Sequence, residues 1–141
     1  MKPLNLTLKP PRPPREELDG LIFLPRSIDK ARAALPGGDP GGYRIEGLTQ
    51  TMLDTLGVSL DAFTLAVSAA DDDGEVAAFL REHAAPGSFE SWNALVAKRE
   101  PRGGNRAEAL EIYPWLKDRP DLILVLDVLA EDDALSFATT R

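Results

Sequence analysis

The 141-residue chain has no cysteine and a single histidine. The missing thiols exclude a disulfide framework, a thiolate metal site and a cysteine nucleophile. One histidine, His83, leaves no His-rich metal cluster and no pair of imidazole bases. Long apolar runs are missing as well. A run as long as any, Leu122 to Leu126, is far short of the ~20 residues that span a bilayer. The segment Met1 to Pro14 has no apolar h-region and holds five prolines, so it does not read as a secretory signal. No membrane association is expected, and a cytoplasmic location follows by default. Positive charge is in deficit: 16 basic side chains face 23 acidic ones, for a net charge of -7. Nucleic-acid binding, which needs a basic footprint, is disfavoured.

What is present is enough to fold. A chain of this length is most simply one domain, and 43% hydrophobic residues supply a core. The acidity is local. Residues 1–35 carry a net +3, residues 36–97 a net -8 and residues 98–141 a net -2. Residues 1–20 read as an extended arm, because Pro10-Pro11-Arg12-Pro13-Pro14 fixes φ and favours polyproline II. Residues 21–141 read as a single helical domain.

Apolar spacing and capping residues place the helices. Leu24, Ile28, Ala31 and Leu35 form one stripe of a helix over Pro25 to Leu35, started by a proline in its first turn. Leu48 to Leu56 is a second helix, closed by Gly57 at a left-handed position. Ser59 caps a third, Leu60 to Ala69, with Val58 and Phe63 as its hydrophobic staple. Asp72 with Glu75 has capping-box spacing before a helix carrying Val76, Phe79, Leu80 and His83 on one face. Ser88 is expected to cap a helix with Phe89, Trp92, Leu95 and Val96 inward. Asn105 and Glu108 form a further N-cap pair, and Pro114 limits that helix near Tyr113. The apolar run from Leu122 to about Ala130 suits strand or helix by period. A helix is expected, since no second strand is in view to pair with it. The tail from Asp132 to Arg141 is expected to fray at its end. The fold class is therefore all-α: a compact orthogonal bundle of six or seven short helices with an extended proline-rich N-terminal arm.

The stretch from Arg15 to Arg32, REELDGLIFLPRSIDKAR, resembles the opening of a bacterial family, domain-of-unknown-function family 5069. The shared pattern is Leu-Gly-apolar-apolar-Leu-Pro-Arg followed by Asp-Lys-Ala-Arg. Asp19 stands here where the family often has glycine. The likeness continues more weakly through Asp73 to Leu80 and the pair Trp92-Asn93, and Asp127 to Glu131 loosely matches an acidic segment of the family. The resemblance implies a small bacterial domain and supplies no activity.

Few residues carry candidate chemistry. Arg26, Asp29, Lys30 and Arg32 share the first helix, and the i,i+3 pairs Arg26–Asp29 and Asp29–Arg32 can pair on its surface. They read as a charged face that clamps the arm or a neighbouring helix. The functional alternative is an anion or partner site, since arginine grips carboxylate or phosphate in bidentate fashion. Lys98, Arg99, Arg102 and Arg106 crowd a loop in which Gly103-Gly104-Asn105 precede a helix start. That arrangement can attract an anion, but it lacks P-loop or GxGxxG spacing. Asp71, Asp72, Asp73 and Glu75 read as caps rather than metal ligands. Asp127 and Glu131, one turn apart, read as a solvated face. His83 at a helix end has no partner that would make it a general base. Trp92-Asn93 suits a small buried polar contact, and Tyr113 and Trp115 suit a core or groove wall. Neither metal nor cofactor is expected. With no nucleophile–base–orienter set, the leading expectation is a non-enzymatic module that binds a partner protein or a second copy of itself. The alternative is a small-molecule or phosphate-type anion binder using Arg26 and Lys30, or Arg102 and Arg106.

Overall fold

The computed structural model describes residues 1–138. Its chain divides into two units, Met1–Asn93 and the residues from Ala94 onward. Among the described residues it is mostly helical, with seven α-helices, two 3-10 turns and one two-stranded hairpin.

The first unit begins with the arm and the hairpin, β1 (Glu17–Leu18) and β2 (Leu21–Ile22), with Glu17 opposite Ile22 and Leu18 opposite Leu21. The hairpin is a departure from the sequence expectation of an arm extended to residue 20 and a fold without strands. Its signal is the dipeptide Asp19-Gly20. Both residues adopt positive φ, 53° and 76°, as a two-residue primed turn demands. Two-residue strands are too short to show alternation, so periodicity missed them.

Helix α1 (Leu24–Ala33) follows directly, then α2 (Leu48–Leu56), α3 (Leu60–Ala69), α4 (Asp73–His83) and α5 (Ser88–Lys98). The caps read from sequence are in place where they are local. Ser59 Oγ accepts from the Ala62 N–H, and Val58 and Phe63 are both buried. Asp72 accepts from the Glu75 N–H, while Glu75 reaches back to the Asp71 N–H and closes the box one residue earlier than drawn. Gly57 ends α2 at φ 78°, and the chain turns through 97° into α3. Ser88 is a correction. It is the first helical residue of α5, and its hydroxyl donates to the Ala85 carbonyl instead of capping. Leu95, expected inward, is 40% exposed.

The core of this unit gathers Leu21, Phe23, Leu24, Ile28, Met52, Leu53, Leu56, Phe63, Val67, Val76, Leu80 and Trp92, all fully buried. Each such side chain stabilises by roughly 1.5–3 kcal/mol relative to exposure. Inside it, Ser27 and Thr49 exchange a hydroxyl hydrogen bond of 2.9 Å between α1 and α2. Helix α1 is covered nearly all round: besides its apolar stripe it buries Arg26, Ser27 and Asp29.

The second unit has a turn at Pro101–Gly104, α6 (Arg106–Ile112), a 3-10 turn at Pro114–Asp118 and α7 (Val125–Ser136). Ala109, Leu116 and Val128 form its buried centre, with Leu110, Tyr113, Trp115 and Leu122 packed against it. The C-terminal element is a helix, but it starts at Val125 rather than Leu122. The residues before it are drawn elsewhere: the Leu122 N–H donates to the Arg119 carbonyl, and Leu124 is extended. The helix continues through the first half of the tail, to Ser136. The fraying expected at the end of the tail falls on residues 139–141, which lie outside the described residues. Among the described residues no single helix is long and apolar enough to cross a membrane.

Candidate functional site

The charged residues of α1 divide between two jobs. The first is holding the arm. In Pro10-Pro11-Arg12-Pro13-Pro14 only Arg12 has an amide proton, and it donates to Asp29 Oδ2 at 2.8 Å. The Arg12 guanidinium lies on the same carboxylate and reaches on to Asp73 at the start of α4. Burial works against the charge on Arg12, but the hydrogen bonds to Asp73 and Asp29 outweigh it and hold its pKa above the ordinary guanidinium value. The Arg12 carbonyl accepts from Arg26, and the Lys2 carbonyl accepts from Arg32. Further along the arm, Leu4 and Leu6 pair with Asp39. Asp29 and Arg32 are thus arm-holding residues, as the structural reading of this helix proposed.

The second job involves Lys30. It faces a cavity of about 200 Å3, lined also by Leu6 of the arm, Ala34 at the end of α1, and Pro40, Tyr43, Arg44, Ile45 and Glu46. The loop forming its far wall is built by short-range bonds. The Gly41 N–H donates to the Asp39 carboxylate, and the Tyr43 N–H to the Pro40 carbonyl. Gly41 takes φ 57° and sits close enough to the Leu6 backbone that a Cβ would approach its carbonyl oxygen to 3.1 Å. Arg26 lies behind this wall. Its guanidinium carbon is 5.5 Å from the Tyr43 ring centroid and 5.9 Å from that of Phe23, within cation–π range. Lys30 Nζ is 5.6 Å from the Phe23 centroid. Phe23 holds φ 80° while fully buried, a conformation that is costly for a bulky residue. Sequence reasoning found Arg26 and Lys30 but missed Tyr43, Arg44 and Glu46, which lie in the turn-rich loop where apolar period gives no guidance.

The other sequence candidates sit apart from the cavity. Trp92 and Asn93 serve the hairpin: Trp92 Nε1 donates to the Ile22 carbonyl, Asn93 Oδ1 accepts from the Ile22 N–H, and Asn93 Nδ2 donates to the Gly20 carbonyl. Arg81 braces the same turn through Asp19 and stacks 3.9 Å over the Phe89 ring. His83 Nδ1 donates to the Phe79 carbonyl at 2.9 Å, and the side chain lies exposed against the Phe79 ring.

In the second unit, Arg102 and Arg106 diverge. Arg102 pairs with Glu108 at 2.7 Å, and that hydrogen bond raises its pKa. Arg106 spreads its guanidinium over the carbonyls of Leu122, Arg119 and Leu116. Asn105 accepts from the Glu108 N–H at the start of a seven-residue helix. Glu131 faces Arg119, and Asp132 accepts from Trp115. Among the described residues no three His, Cys, Asp or Glu side chains gather in a way that could hold a metal ion.

A comparison with curated proteins finds no match. One family model does match, over residues 8–134, which takes in the arm from Leu8 onward, the hairpin and all seven helices apart from the end of α7. The chain belongs to the family described as a domain of unknown function, DUF5069.

Proposed function

We propose that this protein is a binding module without catalysis of its own, and that it engages an anionic group of a partner at the cavity beside Lys30. The observation that carries this reading is the composition of that cavity. A half-buried lysine, a tyrosine and the exposed pair Arg44–Glu46, 3.9 Å apart, stand around apolar walls of Leu6, Ala34, Pro40 and Ile45. Such a set can hold and orient a negatively charged group. The reading joins the two expectations from sequence, partner binding and anion binding through Arg26 and Lys30, with Arg26 supporting the Tyr43 wall. The Arg102 and Arg106 alternative has less behind it, because Arg102 is paired with Glu108 and Arg106 is spread over backbone carbonyls.

The test is a thermal-shift screen with inorganic phosphate, nucleotides, small carboxylates and a glutamate-rich peptide, run on the wild type and on Ala34→Trp. A native-state ligand must stabilise the fold. The reading expects stabilisation by at least one anion and its loss in Ala34→Trp, which fills the cavity. Stabilisation that survives Ala34→Trp unchanged overturns it, as does no response to any probe.

A further inference from the structure

One exposed clasp holds both walls of the cavity beside the end of α1. Leu6 of the arm lines one side, and Pro40 with residues 43–46 lines the other. Asp39 stands between them. Its N–H donates to the Leu4 carbonyl at 2.9 Å, its carbonyl accepts from the Leu6 N–H at 2.8 Å, and its carboxylate accepts from the Gly41 N–H at 2.9 Å. We infer that residues 2–7 are a strap, that it opens together with the loop of residues 36–46 when the Asp39 bonds part, and that the cavity holds a ligand only while the strap is closed. The last step rests on the cavity being the binding site; the opening does not.

The clasp is the weak point of this face. Asn5 and Asp39 form an isolated parallel bridge, and both are exposed. Within residues 2–7, Leu6 is the one fully buried side chain. Exposed backbone hydrogen bonds with little apolar burial mark segments that open below global unfolding. Opening also frees four glycines in residues 36–42, the residue type that loses most freedom on ordering.

The opening has limits on either side. Thr7, Leu8 and Lys9 are exposed, Leu8 at 77%, so the chain can bend there without disturbing packing. Behind the bend, Arg12 stays fixed to Asp29 and Asp73, with Pro11 and Pro14 buried beside it. In front, the hydrogen bonds that must part are those of the Met1 ammonium to the Val67, Ser68 and Ala70 carbonyls, and those joining Lys2 and Leu4 to Arg32. On the loop side, the Tyr43 ring must leave the Arg26 guanidinium, whose carbon is 5.5 Å from its centroid. A ligand touching Leu6 and the loop together binds the closed form, so it must favour closure.

Amide hydrogen exchange of the 15N-labelled full chain is the test. Leu6, Asp39 and Tyr43 are expected to share one protection factor, about tenfold or more below those of Ile28 and Leu80, while the Arg12 amide stays with the slow class. The chain has no cysteine, and adjacent strands lie about 4.8 Å apart, a Cα separation that a disulfide spans. Oxidised Asn5→Cys/Asp39→Cys is therefore expected to slow Leu6 and Tyr43 by about tenfold or more relative to its own reduced form. Leu6 as slow as Ile28 in the wild type overturns the inference, and so does Tyr43 exchange that differs from that of Leu6 or ignores oxidation. If the pair does not oxidise, the wild-type pattern decides. Acetate and inorganic phosphate are then added to the wild type. Binding to the closed form alone predicts that an anion at about ten times the dissociation constant read from Ile45 shifts slows Leu6 and Tyr43 about tenfold. An anion that shifts Ile45 and leaves their exchange unchanged overturns it. If neither anion shifts Ile45, the binding reading falls and the exchange pattern alone decides the strap.

Discussion

Arg12 and Asp29 are joined twice, through the Arg12 backbone N–H at 2.8 Å and through its guanidinium at 3.0 Å. The chain supplies one amide proton in a run of five residues, and the fold sets a buried carboxylate against it. Asp29 is 5% exposed, so removing the guanidinium leaves a buried carboxylate that keeps the residue-12 backbone N–H but loses its opposite charge. Arg12→Ala is expected to destabilise by about 2–3 kcal/mol. Asp73→Asn, which touches only the more exposed end of the guanidinium, is expected to cost under about 1 kcal/mol. Urea unfolding of the two variants measures both. Equal costs would show that the Asp29 half of the contact has no special weight.

The hairpin turn makes a backbone prediction. Gly20 sits at φ 76°, and a Cβ there would meet nothing closer than the Arg81 guanidinium at 3.9 Å. Space is available, so the cost of Gly20→Ala is conformational, about 1–2 kcal/mol. Asp19→Gly relieves a positive φ of 53° but gives up the ion pair to Arg81. Its net effect is expected within about 0.5 kcal/mol of zero. Thermal unfolding of both separates strain from contact.

Asn93 satisfies an N–H and a carbonyl on the hairpin at once. Asn93→Ala is expected to cost about 1–3 kcal/mol, because two backbone groups lose their partner. Asn93→Asp keeps the acceptor for the Ile22 N–H and loses the donor to Gly20, and it is expected to fall between Asn93→Ala and the wild type. Hydrogen exchange at the Ile22 amide reports this directly: it should quicken in Asn93→Ala and stay slow in Asn93→Asp.

How much of this was legible in the sequence follows from range. Ser59, Asp72 and Asn105 cap helices within three residues of themselves, so residue type and spacing located them. The stripe of α1 identified the helix, and the charged residues beside it suggested a clamp on the arm. Naming the clamp required Arg12 to meet residues 17 and 61 positions away, which no local pattern encodes. The Lys30 cavity was half legible: the cations on α1 were visible, but Tyr43, Arg44 and Glu46 come from a loop whose course depends on the pairing of Leu4 and Leu6 with Asp39. The start of α7 was misplaced because Arg106 captures the Leu122 carbonyl, and five apolar residues in a row conceal such a diversion.

Arg106 predicts a structural role for its loop. Arg106→Lys keeps the charge but cannot span three carbonyls, since a compact ammonium lacks the planar fork of guanidinium. A loss of about 1–2 kcal/mol is expected, with the anion response of the protein unchanged. A weakened anion response at full stability would move the binding site to this loop.

The second unit also makes a pH prediction. Asp121 has its pKa lowered, chiefly by the hydrogen bond from Arg119. A depressed carboxylate contributes stability that is present above its unfolded pKa of about 3.9 and is lost as the pH falls through the lower folded value. Carboxyl 13C titration should show Asp121 ionising below the ordinary aspartate range, and Arg119→Met should return it to that range. An unshifted Asp121 in the wild type would contradict the contact.

The most direct test of the central claim is an amide-shift map of the full chain titrated with small carboxylates and with phosphate. The account predicts that at least one of these anions moves Ala34, Tyr43 and Ile45 and leaves the amides of Arg102 to Arg106 in place. A response confined to Arg102–Arg106, or spread evenly over the surface basic residues, would contradict it.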